Sequence, residues 1–252
     1  MAQALNFDRA LIEKYDRPGP RYTSYPTAPQ FHQAFAVDDY RAAAQASNQV
    51  AQPKPLSLYI HIPFCQSLCY YCACNKIITQ KTHRAVEYLT YLKREIAMQA
   101  ALFDKSRKLT QLHFGGGTPT YLTSEQLAEV MDCLHQAFNL DDSDDHEFSI
   151  EVDPRTISRE RIAELRAQGF NRLSFGVQDF DAQVQAAVNR VQSEEQIYDL
   201  VAAAREARFK SVSVDLIYGL PLQTVASFDL TLSKIIALRP DRIAAYSYAH
   251  LP

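Results

Sequence analysis

The chain contains five cysteines, and four of them lie within ten residues, close enough to bind one metal centre. They are Cys65, Cys69, Cys72 and Cys74, in the stretch YIHIPFCQSLCYYCACN. The first three have the spacing C-x3-C-x2-C and follow a short apolar run that is typical of a strand. Where thiols stay reduced, such clustering indicates metal binding rather than disulfide bonds.

Two kinds of metal centre fit this loop. Three thiolates can hold three irons of a [4Fe–4S] cluster and leave the fourth iron open to a ligand, since full ligation takes four cysteines. A structural zinc site would use all four sulfurs, but zinc sites usually combine two separated C-x2-C pairs. The crowding of the thiols into one loop therefore favours iron–sulfur over zinc. Cys133 lies in a predicted helix and is expected to be a buried, inert thiol.

The composition argues against several classes of protein. With 252 residues, 47% of them apolar and 22% charged, the chain can bury a core of ordinary size. Its net charge of −3 gives no support to nucleic-acid or anionic-membrane binding. No segment approaches the ~20 apolar residues of a membrane span, and the N-terminus lacks the apolar stretch of a secretory signal. We therefore predict a cytoplasmic protein that binds neither nucleic acid nor membrane, and we expect a monomer.

From Leu56 onward, apolar strand-like runs alternate with longer amphipathic helical runs. The predicted strands are Ser57–Ile62, Gln111–Phe114, Glu147–Val152, Arg172–Phe175, Ser213–Ile217 and Arg242–Tyr248. The predicted helices are Arg84–Phe103, Ser124–Phe138, Ser158–Gln168, Asp181–Val188, Ser193–Ala207 and Val225–Leu238. Ser124, Ser158 and Ser193 are predicted to cap the N-termini of their helices, and Gly169 is predicted to end the third.

This alternation predicts an α/β fold with a parallel sheet and helices outside it. Nearly every predicted strand has polar or glycine residues at its carboxyl end, as in barrels that build their site there. A flat, doubly wound sheet would instead concentrate its site at one switch point. We therefore predict a curved parallel sheet, a partial TIM-like (β/α)6 barrel over residues 56–252, preceded by an N-terminal arm over residues 1–55. The acidic run Asp141–Glu147 is predicted to be a solvated loop.

Polar groups at these strand ends are candidates for ligand binding, each with a plainer alternative. The three glycines at 115–117 would let a ligand approach the backbone, or would form only a strand-to-helix turn. Glu151 and Asp153 would bind ribose hydroxyls or an ammonium group, or would pair with a neighbour such as Arg155.

Three further side chains also have both a ligand-binding and a structural interpretation. Asp215 lies inside an apolar strand, where a carboxylate is costly without a partner, so it is a stronger candidate than Arg190. Arg190 by itself would be interpreted as a solvated side chain. His61 alternates with Tyr59 on the first strand and is either a satisfied core histidine or a cofactor contact.

Together the motifs resemble those of the radical S-adenosylmethionine (SAM) superfamily and, within it, the oxygen-independent coproporphyrinogen III oxidases. The resemblance covers nearly the whole chain. It rests on the segments GPRYTSYPTA, YIHIPFC, CYYCACNK, HFGGGTPTYL, IEVDPR, GFNRLSFGVQDF, DLIYGLP and YSYAHLP.

The resemblance implies a role for each matching residue. The implied ligands of a [4Fe–4S] cluster are Cys65, Cys69 and Cys72. The implied contacts of a first SAM molecule are Tyr59, Gly116 and Glu151. The implied contacts of a second SAM molecule are Tyr71, Gly117, Thr118, Gln178, Arg190, Asp215 and Ala249. The candidate catalytic residues are Cys74, Tyr59 and His61.

The resemblance also implies a reaction and its partners. Cleavage of SAM by the reduced cluster would give a 5′-deoxyadenosyl radical, which removes hydrogen from a propionate of coproporphyrinogen III. Loss of CO2 and one electron leaves a vinyl group, and two rounds give protoporphyrinogen IX in haem biosynthesis. A low-potential donor such as flavodoxin or ferredoxin would supply electrons, and Arg17 and Arg21 are our candidates for contacting the substrate carboxylates.

Two reservations follow from the same resemblance. Family members continue past AHLP, so we expect this chain to lack the last barrel helix and the substrate cover, and to turn over substrate poorly or not at all. A haem chaperone on the same scaffold is the alternative function. Those relatives are expected to lack the RYTSYPTA arm and a cysteine at position 74, and this sequence has both.

The ligand assignment predicts which thiols the cluster requires. Cys65→Ser, Cys69→Ser or Cys72→Ser should abolish stable cluster binding, whereas Cys74→Ser should retain the cluster, because only three thiolates are ligands. Iron and sulfide counts after anaerobic reconstitution measure this. Loss of the cluster in Cys74→Ser would return four-sulfur ligation to consideration.

Overall fold

The structure is a computed structural model that describes residues 7–17 and 27–249. The chain divides into two compact units, Met1–Ser47 and Asn48–Pro252. The predicted domain boundary between residues 55 and 56 stays a prediction. Most of the RYTSYPTA segment, including Arg21, lies outside the described residues.

The elements are numbered here in chain order. The helices are α1 (Arg9–Tyr15), α2 (Val37–Ala46), α3 (His83–Ala100), α4 (Ser124–Ala137), α5 (Arg159–Ala167), α6 (Ala182–Ala187), α7 (Glu194–Glu206) and α8 (Val225–Leu238). The strands are β1 (Leu56–Ile62), β2 (Phe64–Cys65), β3 (Ile77–Ile78), β4 (Lys108–Gly116), β5 (Asn139–Leu140), β6 (Glu147–Val152), β7 (Arg172–Gln178), β8 (Ser211–Tyr218) and β9 (Arg242–Ser247). Three 3-10 turns complete the set, at Ala28–Gln30, Pro119–Tyr121 and Pro154–Thr156.

Six long strands form one parallel sheet in the order β1-β4-β6-β7-β8-β9, with β5 paired to β4. This order follows the chain without reversal, whereas a doubly wound sheet reverses at its switch point. All the carboxyl ends of the strands consequently meet at one rim. The α/β fold and the partial (β/α)6 barrel are confirmed.

The core lies between this sheet and the helices that connect its strands. Phe114, Ile150, Phe175 and Val214, one from each of four neighbouring strands, are completely buried. One face of α3 is apolar and packs into the core, where Ala85, Leu89, Leu92, Ile96 and Ala100 are buried. Burial of alternate strand residues and of one helix face fixes which side chains remain to face the rim.

The predicted strands and helices are all present, and most bounds differ by one to three residues. Sequence reasoning missed β2, β3 and β5 because two-residue strands are too short to show a period. The acidic loop is only partly solvated, so that prediction was wrong at its first residue. Asp141 is buried. Its carboxylate is satisfied there by a hydrogen bond of 2.7 Å from Ser143 and an ion pair of 2.7 Å with Lys108.

Two of the three predicted caps are confirmed. Ser158 caps α5 and Ser193 caps α7, each by accepting a backbone N–H. The cap predicted at Ser124 was wrong, because the preceding Thr123 caps α4 and forms a capping box with Gln126. The glycine predicted to end α5, at position 169, has a φ of +100°. Among the described residues, no helix combines the length and the apolar character needed to cross a membrane.

The corrected cap gives a stability prediction. Thr123→Ala should lower the free energy of unfolding by about 1 kcal/mol, because the backbone N–H of Gln126 loses its acceptor at the helix end. Thr123→Ser retains the hydroxyl and should stay close to wild type. Urea denaturation with an unchanged slope measures both. Equal stability of the two variants would contradict the capping role.

Candidate active site

The cysteine loop begins and ends on a small parallel sheet of its own. β2 and β3 pair Phe64 with Ile77 and Cys65 with Ile78, so the chain leaves and returns at the same place. Between them, the backbone N–H of Cys72 donates to the carbonyl of Cys69 at 3.1 Å. The loop is therefore a closed turn held next to the carboxyl end of β1.

The four thiols of this loop form no disulfide bonds, and they differ in their surroundings. Cys69 is buried and Cys74 is exposed, with Cys65 and Cys72 between them. Hydrogen bonding to Cys74 and the charge of Lys76 outweigh burial and lower the pKa of the Cys72 thiol to about 6. The same contact with Cys72, together with burial, raises the pKa of Cys74. Burial also raises the pKa of Cys65, to which the Thr118 hydroxyl donates at 3.6 Å.

A cavity of about 460 Å3 joins this loop to the rim of the sheet. All four thiols line it, and so do ten strand-end or loop residues that are candidates from the sequence. They are Tyr71, Gly116, Gly117, Thr118, Glu151, Asp153, Gln178, Arg190, Asp215 and Ala249. Tyr59 and His61 lie beside the cavity rather than on its wall. Ligand pockets commonly occupy roughly 300–1,000 Å3, so the space suits a molecule of nucleoside size.

Tyr59 and His61 are held by their register on β1. Tyr59 is opposite His113 on β4, and the two rings stack with centroids 5.7 Å apart. The Tyr59 hydroxyl lies 3.0 Å from Nδ1 of His61, whose Nε2 lies 2.8 Å from the carbonyl oxygen of Asn75. Both ring nitrogens of His61 are therefore satisfied, as the plainer interpretation of this residue requires, and its catalytic role stays a prediction.

The glycine turn after β4 brings the backbone against β1 and β6. Gly116 has a φ of +116°, and a Cβ there would lie 2.8 Å from the His61 ring, so a side chain has neither a suitable conformation nor space. The Gly116 N–H donates to Glu151 at 3.3 Å, and His113 Nε2 lies 3.2 Å from the other oxygen of that carboxylate. Glu151 is thus fixed at the mouth with one edge still accessible.

Sequence reasoning missed His113, which orients Glu151 and stacks on Tyr59. Its Nδ1 lies 2.6 Å from the hydroxyl of Ser149, its register partner on β6. The sequence contained a signal for His113, because it alternates with Gly115 and Gln111 on the face of β4 opposite the buried Leu112 and Phe114.

Arg190 is buried, so its interpretation as a solvated side chain was wrong. Its Nε and Nη2 donate to the carbonyl of Gly176 at 3.1 and 2.7 Å, and Nη2 lies 3.4 Å from Asp153. A Cβ at position 176 would lie 2.7 Å from Nη2, so this approach needs glycine. Loop spacing cannot reveal such burial, because the carbonyl and the carboxylate come from two other strands.

The structure supports the plainer interpretation of Asp153, pairing with a neighbour, because its carboxylate forms an ion pair of 2.6 Å with Arg155. Burial alone would raise the pKa of Asp153, but the hydrogen bonds from Arg155 and the charges of Arg190 and Arg155 outweigh it and keep that pKa below its usual value. The carboxylate of Asp153 is therefore ionised, and its hydrogen bonds and ion pairs with the two arginines engage it fully.

Gln178 has two features that indicate ligand binding. Its φ of +68° at a bulge against β8 is uncommon for a residue other than glycine. Its side-chain Oε1 is buried and has no hydrogen-bond partner. Because strained backbone and unpaired buried polar atoms concentrate at functional sites, a ligand that donates to Oε1 would account for both.

Asp215 lies on β8 opposite Gly176 and accepts a hydrogen bond of 3.1 Å from Ser174. Burial, together with the charge of Glu151, raises its pKa to about 6 despite that bond.

Tyr71 packs on the apolar cluster of Val184, Val188, Ile217 and Leu220. Of the remaining candidates, Ala249 is exposed at the cavity edge and Arg17 is exposed in the N-terminal unit. Cys133 is half-buried.

Residues 59–235 match the family described as the Radical SAM superfamily. This chain belongs to the radical SAM superfamily. The solved structure of coproporphyrinogen III oxidase from Escherichia coli, described as a radical SAM enzyme, matches with a TM-score of 0.87 and 49% identity, over 99% of this chain and 54% of that chain. A radical SAM methyltransferase from Kitasatospora setae, 14% identical with a TM-score of 0.52 over 77% of this chain and 36% of that one, shares the fold alone.

Curated relatives are similar over the whole chain. The oxygen-independent coproporphyrinogen III oxidase of Pseudomonas aeruginosa is 49% identical over 252 residues, which are 100% of this chain and 54% of that protein. The enzyme of the same name from Escherichia coli K12 is 50% identical over 250 residues, 99% of this chain and 53% of that protein. The resemblance drawn from the motifs is confirmed, and the chain spans about half the length of these relatives.

Radical SAM membership implies a [4Fe–4S] cluster and SAM, and the residues present fit both. Three thiols of the C-x3-C-x2-C loop line one cavity, and the unpaired Oε1 of Gln178 is buried close to it. Within residues 7–17 and 27–249, no group of three or more His, Cys, Asp or Glu side chains is placed to hold a single metal ion.

The raised pKa of Asp215 predicts a pH dependence of stability. Between about pH 4 and pH 6 the unfolded chain, with a carboxyl pKa of ~3.9, releases this proton before the folded chain does, so the contribution of Asp215 to stability falls as pH rises through that window. Asp215→Asn removes the fall. We expect its free energy of unfolding relative to wild type to rise by on the order of 2 kcal/mol from pH 4 to pH 7.

Denaturant titrations at several pH values measure this difference. Asp229→Asn, at an exposed aspartate on α8, is the matched control and should follow the wild-type curve. Parallel curves for Asp215→Asn and wild type would contradict the prediction.

Proposed function

We propose that this chain carries the radical SAM part of an oxygen-independent coproporphyrinogen III oxidase. The single observation that best supports this is the identity of about half over the whole chain to enzymes of that name. The proposed reaction is the oxidative decarboxylation of two propionates of coproporphyrinogen III to vinyl groups. The relatives reported above are named as oxidases, so the haem-chaperone alternative is not favoured.

Cys65, Cys69 and Cys72 are the proposed ligands of a [4Fe–4S] cluster. When bound and reduced, the cluster with SAM would supply a 5′-deoxyadenosyl radical for hydrogen abstraction. The protein contributes a cavity that joins the thiols to the strand ends, and charges that hold the reactants in position. Cys74, which is exposed in the same loop, stays a proposed catalytic residue together with Tyr59 and His61.

Glu151 is the proposed anchor of the first SAM molecule. Its carboxylate is accessible at the mouth and is braced by Gly116 and His113, so it can accept hydrogen bonds from an ammonium or ribose group without reorganising. Tyr59 contributes through the stack on His113.

A second SAM molecule is proposed on the other side of the cavity. The supporting features are the strained backbone and unpaired Oε1 of Gln178, the raised pKa of Asp215 and the buried guanidinium of Arg190. A cationic ligand group near Asp215 would favour its ionised form. The other proposed contacts are Tyr71, Gly117, Thr118 and Ala249.

The remaining proposals concern partners. Coproporphyrinogen III, whose carboxylates need cations, is the proposed substrate, with Arg17 and Arg21 as candidate contacts. A flavodoxin or ferredoxin is the proposed electron donor. We propose that the protein acts as a monomer in the cytoplasm.

Reductive cleavage of SAM by the anaerobically reconstituted chain tests the function. With dithionite and SAM, the chain should form 5′-deoxyadenosine. Glu151→Gln should weaken SAM binding about 10-fold or more, because a charged hydrogen bond is worth about 1.5–3 kcal/mol. Glu147→Gln, on the same strand but paired with Arg172, is the matched control.

Iron counts and equilibrium dialysis with labelled SAM accompany the assay. A full complement of iron without SAM cleavage would contradict the proposed activity and leave the cluster assignment intact.

A further inference from the structure

Arg155 is a half-buried cation next to a proposed cluster ligand, and neither the motifs nor the proposed SAM contacts give it a role. Its Nη2 donates to the sulfur of Cys69 at 3.4 Å. Sequence reasoning considered it only as a partner for Asp153.

Besides the Cys69 sulfur, two groups hold the Arg155 guanidinium in place. Asp153 accepts from Nη2 at 2.6 Å and from Nε at 3.0 Å, and the carbonyl of Asn189 accepts from Nη1 at 3.3 Å. Its 3-10 turn follows β6, whereas Asn189 belongs to the connection between α6 and α7. The side chain is only 18% exposed, so water does little to screen its charge.

The charge around Cys69 is positive. Arg190 also reaches this sulfur, with Nη1 at 3.5 Å, and the two guanidiniums share the single carboxylate of Asp153. One positive charge is therefore in excess next to a buried thiol. Such an arrangement stabilises the further negative charge that a metal centre bound at this sulfur acquires on reduction.

The two arginines differ in what else they do. Both arginines line the cavity, but only Arg190 is a proposed contact of the second SAM, and two of its donors bind the Gly176 carbonyl. Arg155 is anchored by the carboxylate, and one Nη2 hydrogen bond points at the sulfur. A change at Arg155 therefore tests the sulfur contact with less effect on the rest of the wall.

We propose that Arg155 is a positioning residue that, through its N–H···S hydrogen bond to Cys69, makes the [4Fe–4S] cluster easier to reduce. The inference rests on the cluster of the proposed function. Reduction adds one electron, and thus one negative charge, to the cluster and its thiolates. A fixed cation and a hydrogen bond to a ligand sulfur stabilise that reduced form and raise the reduction potential.

The test is an anaerobic dithionite titration of the reconstituted 252-residue chain, followed by electron paramagnetic resonance. Arg155→Gln should shift the midpoint potential to a more negative value at an unchanged iron and sulfide content. Arg155→Lys keeps the charge but not the planar fork, and should give an intermediate value. Arg159→Gln is the matched control, because that arginine pairs with Asp199 and Glu206 at the surface.

The outcomes separate the two hypotheses. A wild-type chain that binds no cluster overturns the proposed function and this inference together. A fully loaded Arg155→Gln with the wild-type potential overturns the inference alone, even if its thermal stability is lower, because a purely structural role predicts that pattern. If Arg155→Gln fails to load, Arg155→Lys decides, and a potential equal to wild type in that variant overturns the inference.

Discussion

The parallel register of six strands is the constraint on which the site depends. Because the strands follow one another in chain order, every loop that leaves a carboxyl end opens onto the same rim. Register then decides which side chains meet. Tyr59 faces His113, and His113 faces Ser149, while Gly176 faces Asp215. A shift of one residue on any strand would turn these groups into the core.

Burial of charge organises the part of this rim nearest the cysteine loop. A guanidinium removed from water must find acceptors, and Arg190 finds them in a backbone carbonyl that only a glycine leaves accessible and in Asp153. Asp153 in turn holds Arg155. These contacts link the ends of β6 and β7 with the α6–α7 connection and reach the sulfur of Cys69. The loop that carries the thiols is thus oriented by ion pairs outside it.

Much of the fold could be predicted from sequence because long, periodic segments report their own burial. The buried face of α3 and the alternating apolar residues of β6 and β8 show such a period. The predicted helix at Val225–Leu238 matches α8 residue for residue. Short pairings such as β2 with β3 carry no period, although they close the cysteine loop. The cap of α4 was assigned one residue late, since Thr123 and Ser124 are both good caps and only the backbone conformation distinguishes them.

For the site, the sequence by itself determined the residue types and the family. C-x3-C-x2-C, the glycine turn and the acidic strand ends are local patterns whose chemistry depends on spacing along the chain. Only the tertiary structure decided that Arg190 is buried, that His113 braces Glu151, and that Arg155 reaches Cys69 across 86 residues of chain. These are contacts between strands and loops distant in sequence. Their energetics depend on which groups lose water together, and no local spacing records that.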